Sequence, residues 1–352
     1  MEDNLNLPSL SDFFVNDDDD VGVSLISKSK YYNIDSLKSV LTSESQTSHL
    51  TIFNTNARSL LKHLNEFHSL FDSLVDEKNF SFDIITFCET WLDDSTQNLI
   101  EFPNYTPVFK HKLDKKQGGG IACLIKSDIQ FTVRNDLAFN EEERQYFDGI
   151  FIEIMNNNEI NHNIILAVLY RSPRLNTIRN FSVSISKKLD LVINENKKVI
   201  VLGDLNIDLL KYSNHLETST FLDHMLMKNL IPQITVPTRV TRHSATLIDH
   251  IFSNISSENI LSGTLLTDIS DHYSNFSIIS TSNKKNTNPQ TVKYRSINNE
   301  SIAQLNSALG DIDWTEVYLS DDVNVAYTAF LNKILEQFDL CMPLKIVKFN
   351  KF

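Results

Sequence analysis

The chain has 352 residues, 41% hydrophobic and 22% charged, which is apolar mass enough for one large or two medium cores. No run approaches the roughly 18 apolar residues that span a bilayer, and Met1-Glu2-Asp3-Asn4 offers neither a basic n-region nor an apolar h-region, so no membrane contact or secretion is expected. The net charge of -13 argues against a broad phosphate-binding surface, yet 110–116 and 239–243 are locally basic, so the sum decides nothing about nucleic acid.

Residues 1–45 are polar and aperiodic, with a four-aspartate run at 17–20, and read as a mostly disordered acidic tail. Within it Tyr31, Tyr32, Ile34, Leu37 and Leu41 space as a short amphipathic docking helix. The globular part opens with Leu50-Thr51-Ile52-Phe53-Asn54-Thr55-Asn56, a strand ending in amides. Leu60, Leu61, Leu64, Leu70 and Leu74 mark a helix over 59–74, and a buried strand over 82–88 delivers Glu89. Residues 107–109, 118–126 and 129–133 read as sheet with glycine-assisted connections, and 151–155 with 164–170 as a hairpin. A helix over 177–193 follows, then the uninterrupted apolar strand 199–202, a helix over 215–228, and strands over 246–253, 261–267 and 273–279. Strands outnumber helices, and helices interrupt them singly. This predicts an α+β fold over 46–281: a four-layer α/β/β/α sandwich of two packed, mostly antiparallel sheets flanked by helices. The Ser/Asn/Lys/Thr-rich stretch 282–298 reads as a linker and 299–352 as a helical extension. Cys88, Cys123 and Cys341 are too far apart for a zinc or disulfide framework, which points to an intracellular, nuclear or cytoplasmic setting.

Six strand or turn ends carry residues able to bind a metal, a water or a phosphate. They are Asn54 with Asn56, Glu89, Tyr170 with Arg171, Asp204 with Asn206, Asp249, and Asp271 with His272. Each also has an ordinary reading: Asp204 and Asn206 as an Asx-turn, Glu89 and Ser270-Asp271-His272 as helix caps, Tyr170-Arg171-Ser172-Pro173 as a surface turn. Unpaired buried carboxylates are expensive, however, so acids gathered along one sheet edge usually surround a cation or pair with a base.

The phrases Asn54-Thr55-Asn56-Ala57-Arg58-Ser59-Leu60, Glu89-Thr90-Trp91-Leu92, Gly118-Gly119-Gly120, Leu169-Tyr170-Arg171-Ser172-Pro173, Gly203-Asp204-Leu205-Asn206, Leu247-Ile248-Asp249-His250-Ile251-Phe252 and Ser270-Asp271-His272 carry a resemblance in their order and spacing. From Leu50 to Ile279 the chain resembles the endonuclease/exonuclease/phosphatase superfamily, in wording nearest the endonuclease domain of non-long-terminal-repeat (LINE-type) retrotransposons. The resemblance implies a Mg²⁺-dependent DNA endonuclease, Mn²⁺ being an alternative ion, that leaves 3′-hydroxyl and 5′-phosphate ends. It makes Glu89 the principal metal ligand with Asn54 and Asp271 beside it. Asn56 stands where related enzymes often carry aspartate, which favours one metal over two. Asp204 would orient or deprotonate water, and Asn206 would hold water and phosphate in line. His272, oriented by Asp249, would contact a non-bridging oxygen, and Tyr170 would add a hydroxyl. Lys110, Lys112, Lys115, Lys116, Arg171, Arg174, Arg239 and Arg242 are candidates to line the DNA backbone. Residues 343–352 resemble the basic segment ahead of the reverse transcriptase in such elements, so element RNA or a reverse transcriptase module is a further expected partner; no polymerase sequence is present.

Three features read as structural. His250 alternates away from Asp249 and should pack, Cys88 is a small core residue, and Gly118–Gly120, with no Lys-Ser/Thr after it, belongs to a hairpin turn. Rival functions on the same fold are an abasic-site endonuclease, a deadenylase, or a phosphatase acting on inositol phosphates or sphingomyelin. The rival from another class is a decayed or domesticated binding scaffold, against which the full set of polar residues stands.

Overall fold

A computed structural model describes residues 7–13, 26, 28–43, 49–112, 118–155, 163–173, 177–280, 291–295 and 299–348. Its first strands are β1 (Lys30–Tyr32), β2 (His49–Asn56), β3 (Ile84–Cys88), β4 (Tyr105–Lys110), β5 (Ile121–Lys126), β6 (Phe131–Val133), β7 (Phe147–Ile154), β8 (Ile164–Arg171) and β9 (Lys198–Asp204). Then come β10 (Ile231–Pro232), β11 (Arg239–Val240), β12 (Ala245–Thr246), β13 (Asp249–Ser253), β14 (Ile260–Leu265) and β15 (Ser274–Ser280). Seven strands form one sheet in the order β1-β14-β15-β2-β3-β5-β4, and six form the other, β10-β13-β9-β8-β7-β6. Neighbours run antiparallel except β1/β14, β2/β3 and β8/β9.

The period of two in these strands builds the layers. In the seven-stranded sheet Leu50, Ile52, Ile84, Ile121, Cys123 and Ile125 face the core shared with Leu166, Val168 and Val201 of the other sheet. Their odd-numbered neighbours Phe53, Ile85 and Phe87 face outward and are covered by Phe67, Leu70 and Leu74 of helix α2 (Leu64–Lys78). On the far side α3 (Ile178–Asn194) and α4 (Leu216–Met227) close the second sheet with Phe181, Ile185, Leu189 and Phe221, Leu222. The arrangement is the four-layer sandwich expected from the sequence. No described helix is long and apolar enough to cross a membrane.

Two boundaries differ from expectation. The short periodic stretch within the tail forms β1, paired in parallel with β14, and helix α1 (Ile34–Ser43), with Leu37 buried. Leu10 and Ile26 are buried as well, so the folded unit reaches upstream of residue 46. The helix is legible in the period of Ile34, Leu37 and Leu41, whereas single anchors such as Leu10 and Ile26 inside a polar, Asp-rich background have no period to be read. In the expected linker, β16 (Thr291–Arg295) pairs with β17 (Leu344–Lys348), an alternation that the flanking polar composition conceals. Between them lie α5 (Asn299–Gly310), α6 (Thr315–Tyr318) and α7 (Val323–Cys341), as the helical extension predicted, and Lys345 pairs with Asp223 of α4.

Candidate active site

Each sheet contains one central parallel pair, and register brings their ends to the same edge. Asn56 stands opposite Cys88, one residue before Glu89, and Tyr170 stands opposite Asp204. The antiparallel β13 begins at Asp249, also opposite Asp204, and β15 begins just after Asp271 and His272. Asn56, Glu89, Tyr170, Asp204, Asp249 and the Asp271-His272 pair are therefore brought to this edge.

Asn56, fully buried, ties the two sheets together. Its Nδ2 donates to Glu89 Oε1 at 3.0 Å and to Asp204 Oδ2 at 2.7 Å. Tyr170 adds a long hydroxyl contact to the same Glu89 oxygen, 3.4 Å. Burial, followed by the charges of Glu89 and Asp204, raises the Tyr170 phenol well above its ordinary value, so it stays a donor. Glu89 leaves its strand in the left-handed region with φ 50°. Its turn is held by Ser59 N–H donating to Glu89 O, and by Thr90 and Trp91 N–H donating to Gly120 and Gly119 O. A Cβ on Gly120 would lie 2.6 Å from Thr90 Oγ1. The glycine run thus braces the Glu89 turn from within the β4–β5 connection, where its hairpin reading put it.

Asp204, Asp249 and His272 form a buried group with ligand atoms within 4.8 Å of one another. His272 Nδ1 is 2.8 Å from Asp249 Oδ2, which also accepts from Thr238 Oγ1 at 2.7 Å. Burial opposes a charge on His272, but the Asp249 carboxylate and its hydrogen bond prevail and raise the imidazole to about 9. Burial, then repulsion from Asp249, raises Asp204 to about 7 against the pull of His272. One edge thus holds a carboxylate poised to take a proton and an imidazolium poised to donate a hydrogen bond.

Asn206 also sits in the left-handed region, φ 50°, with its N–H on Asp204 Oδ1 at 3.0 Å and its Nδ2 on Arg171 O at 2.8 Å. Arg171, expected on the DNA surface, is instead 2% exposed. Its guanidinium donates to Leu205 O at 2.7 Å, Asn206 O at 2.5 Å, Ser172 O at 3.2 Å and Thr177 Oγ1 at 2.7 Å. Four donors engaged by protein acceptors leave this arginine clamping the Asn206 turn from beneath, out of reach of a phosphate.

Asn54 differs from expectation too. It lies one pleat deeper than Asn56, bonded through Oδ1 to Thr86 Oγ1 at 2.9 Å, so the amide beside Glu89 is Asn56. The Asn54 Nδ2 is a buried donor without a partner among the described residues. Asp271 stands at the rim, its Oδ2 held by Arg58 at 2.7 Å and by Arg239 at 2.7 Å, and these partners outweigh burial and depress its pKa. Arg239 therefore has a carboxylate partner, whereas Arg242 is exposed at the tip of the β11–β12 hairpin. Lys115, Lys116 and Arg174 lie outside the described residues. Arg58, with Lys62 and Trp91, forms a cationic and aromatic cleft against Asp271 that the sequence reading passed over, although Arg58 follows Asn56 by two positions. Thr238 was missed as well, since no local pattern marks a threonine that holds a catalytic-type carboxylate. His250 packs as expected: its ring meets Ile207 O at 2.8 Å and burial lowers it to about 4. Cys88 is buried, and burial with the Asp204 charge raises its thiol, as befits a core residue.

The donor set fits a hard divalent cation. Glu89, Asp204, Asp249 and Asp271 supply carboxylate oxygens against a single imidazole, and Asp249 Oδ1 is buried with no hydrogen-bond partner among the described residues. Asp249 and His272 already bind each other, whereas Glu89 is half-exposed at the mouth and would be free to face a cation.

The structure is similar to that of an AP endonuclease, LMAP, from Leishmania major: TM-score 0.51 at 14% identity, covering 66% of this chain and 88% of that one. It is similar also to the catalytic domain of APE2 from Xenopus laevis (0.48, 17%, 67% and 94%) and to the endonuclease domain of TRAS1, a telomere-specific non-LTR retrotransposon (0.48, 15%, 66% and 99%). No curated protein matches the sequence. The model of the Endonuclease/Exonuclease/phosphatase family matches residues 31–272, more than half of the chain, and the chain belongs to that family.

Proposed function

We propose that the chain is a divalent-metal-dependent DNA endonuclease of LINE-type retrotransposon origin, nicking one strand to leave a 3′-hydroxyl and a 5′-phosphate. The observation that carries this reading is the cross-sheet chain Glu89–Asn56–Asp204 set against the Asp249–His272 pair. Asp204, raised to about 7, accepts a proton from water near neutral pH, while its hydrogen bonds from Asn56 and Asn206 aim it. Asn206 presents its turn toward the same water and the phosphate, with Arg171 fixing that turn. His272 keeps its Nδ1 proton on Asp249 and offers Nε2–H to a non-bridging oxygen as negative charge grows there. Water attacks phosphorus, the bond to the 3′-oxygen breaks, and that oxygen takes up a proton. Glu89, with Asp271 nearby, would hold magnesium or manganese, and such an ion when bound would supply charge neutralisation at the phosphate. The rim residues Arg58, Lys62, Arg239 and Arg242 supply the positive surface that a backbone needs despite the net charge of -13. The retrotransposon setting rests on the sequence phrases, and it makes element RNA and a reverse transcriptase module the further partners.

Nicking of supercoiled plasmid tests this directly. With Mg²⁺ the purified chain is expected to convert plasmid to open circle, with no conversion in EDTA or in Glu89→Ala and His272→Ala. Well-folded protein that leaves intact DNA untouched but cleaves an abasic duplex would refute the retrotransposon reading while keeping the chemistry. Inactivity on both substrates would refute the enzyme.

A further inference from the structure

Residues 234–238, between β10 and β11, are buried but form neither helix nor strand. The last of them, Thr238, holds both halves of the Asp249–His272 pair. Its Oγ1 donates to Asp249 Oδ2 at 2.7 Å and accepts the Asp249 N–H at 3.1 Å. Its carbonyl accepts the N–H of Tyr273, the residue after His272, at 2.7 Å. Irregular buried backbone keeps one place only where its polar groups find fixed partners.

Those partners come from the N-terminal segment. Ser29 N–H donates to Thr235 Oγ1 at 2.7 Å, and Thr235 N–H returns a bond to Ser29 Oγ at 2.9 Å. Thr235 O accepts from Leu10 N–H at 2.8 Å and from Ser9 Oγ at 3.2 Å. Two residues on, Pro237 O accepts from the Tyr31 hydroxyl at 2.8 Å, and the Tyr31 ring meets that of Tyr273 edge-on at 6.1 Å. The segment is itself part of the opposite sheet: β1 pairs with β14, and Tyr32 O accepts from Leu266 N–H at 2.8 Å. It is a clasp, rooted in the seven-stranded sheet and closed on the connection that carries Thr238. A segment that only filled space would need apolar contact with this connection, not a bond to the N–H, the carbonyl and the hydroxyl of Thr235.

We infer that Ser29, Tyr31 and Thr235 are positioning residues of the nuclease site, holding Thr238 and through it the Asp249–His272 pair in register; the inference rests on the nuclease reading above. Thr235 is 0% exposed and Ser29 9%, so neither meets DNA, and their effect falls on the chemical step.

Single-turnover nicking of plasmid by the full chain tests it, with DNA affinity measured by anisotropy and amide exchange followed at Asp249 and Tyr273. Tyr31→Phe removes only a hydroxyl, and Thr235→Val removes one at nearly constant volume. Each should slow nicking by about tenfold, because small misplacements of reacting groups are costly, with DNA affinity unchanged and exchange faster at both amides. Thr235→Ser keeps the hydroxyl and should recover most of the rate. Should Thr235→Val not fold, Tyr31→Phe decides alone. Wild-type nicking by the folded variants, unchanged exchange at the two amides, or a loss confined to DNA affinity would each overturn the inference. Inactivity of the wild-type chain would refute the nuclease reading instead, and amide exchange would then decide by itself whether the clasp holds Thr238.

Discussion

Replacing Arg171 by methionine separates an arginine that positions the site from one that holds phosphate. The side chain is 2% exposed and makes four hydrogen bonds, three of them to main-chain carbonyls of Leu205, Asn206 and Ser172. A hydrogen bond to a charged group contributes about 1.5–3 kcal/mol. Burial acts against this sum and lowers the guanidinium pKa, so the net loss on truncation is about 3 kcal/mol, at the low end for a broken buried charge network. That corresponds to a fall in Tm of roughly 6–12 °C. The Asn206 turn would loosen at its positive-φ residue, and single-turnover nicking should drop by about 10²-fold, the usual effect of losing one oriented group. DNA affinity should change little, because the guanidinium does not face solvent. Fluorescence anisotropy across a salt series gives the deciding number. A phosphate contact would take about one unit from the slope of log affinity against log salt, whereas a positioning residue leaves the slope intact. Arg171→Lys should behave like the methionine variant, because one ammonium cannot span four divergent acceptors. A reduced salt slope with unchanged single-turnover rate, or rescue by lysine, would refute this assignment.

His250 titrates near 4 in the fold against 6.5 when free, so its contribution is present above pH 6.5 and is lost as pH falls toward 4. The stability difference between wild type and His250→Gln should therefore shrink by about 3 kcal/mol between pH 7 and pH 4 in urea melts, and a pH-independent difference would contradict it. Asn56→Asp sets a third carboxylate beside Glu89 and Asp204; metal-free protein should lose about 3–5 kcal/mol, and Mg²⁺ should raise the variant's Tm more than that of wild type. Identical Mg²⁺ responses in the two proteins would exclude a cation among these oxygens. Gly203 has φ 132°, and a Cβ there would lie 1.9 Å from Leu169 O, so Gly203→Ala should cost more than about 4 kcal/mol or prevent soluble expression. A wild-type melting curve for that variant would be incompatible with the β8–β9 register described.

The polar strand ends were legible because an apolar run that stops at an acid or amide is a one-dimensional pattern. Which end meets which was not. Asn54 and Asn56 share a face by parity, and only the pairing of Asn56 with Cys88 sets the second amide against Glu89. Arg171 looked like a surface cation because its neighbours in sequence are a tyrosine and a Ser-Pro turn. Its acceptors come from residues 205 and 206, a strand away, and no local period records that return. Thr238 and Asn56 act through bonds spanning 11 and 148 positions, so their chemistry exists only in the assembled edge. Composition misled in the opposite sense at residues 30–32, where a polar, acidic surrounding concealed the strand that extends the sheet beside β14, although the helix after it kept its period. These misses share a cause. Hydrophobic period is set by each element alone and survives in sequence, whereas the partner of a buried polar group is set by register between elements. A site built from such partners, with one amide joining two sheets and one arginine joining two loops, is therefore the part of the molecule that folding must finish before its chemistry is defined.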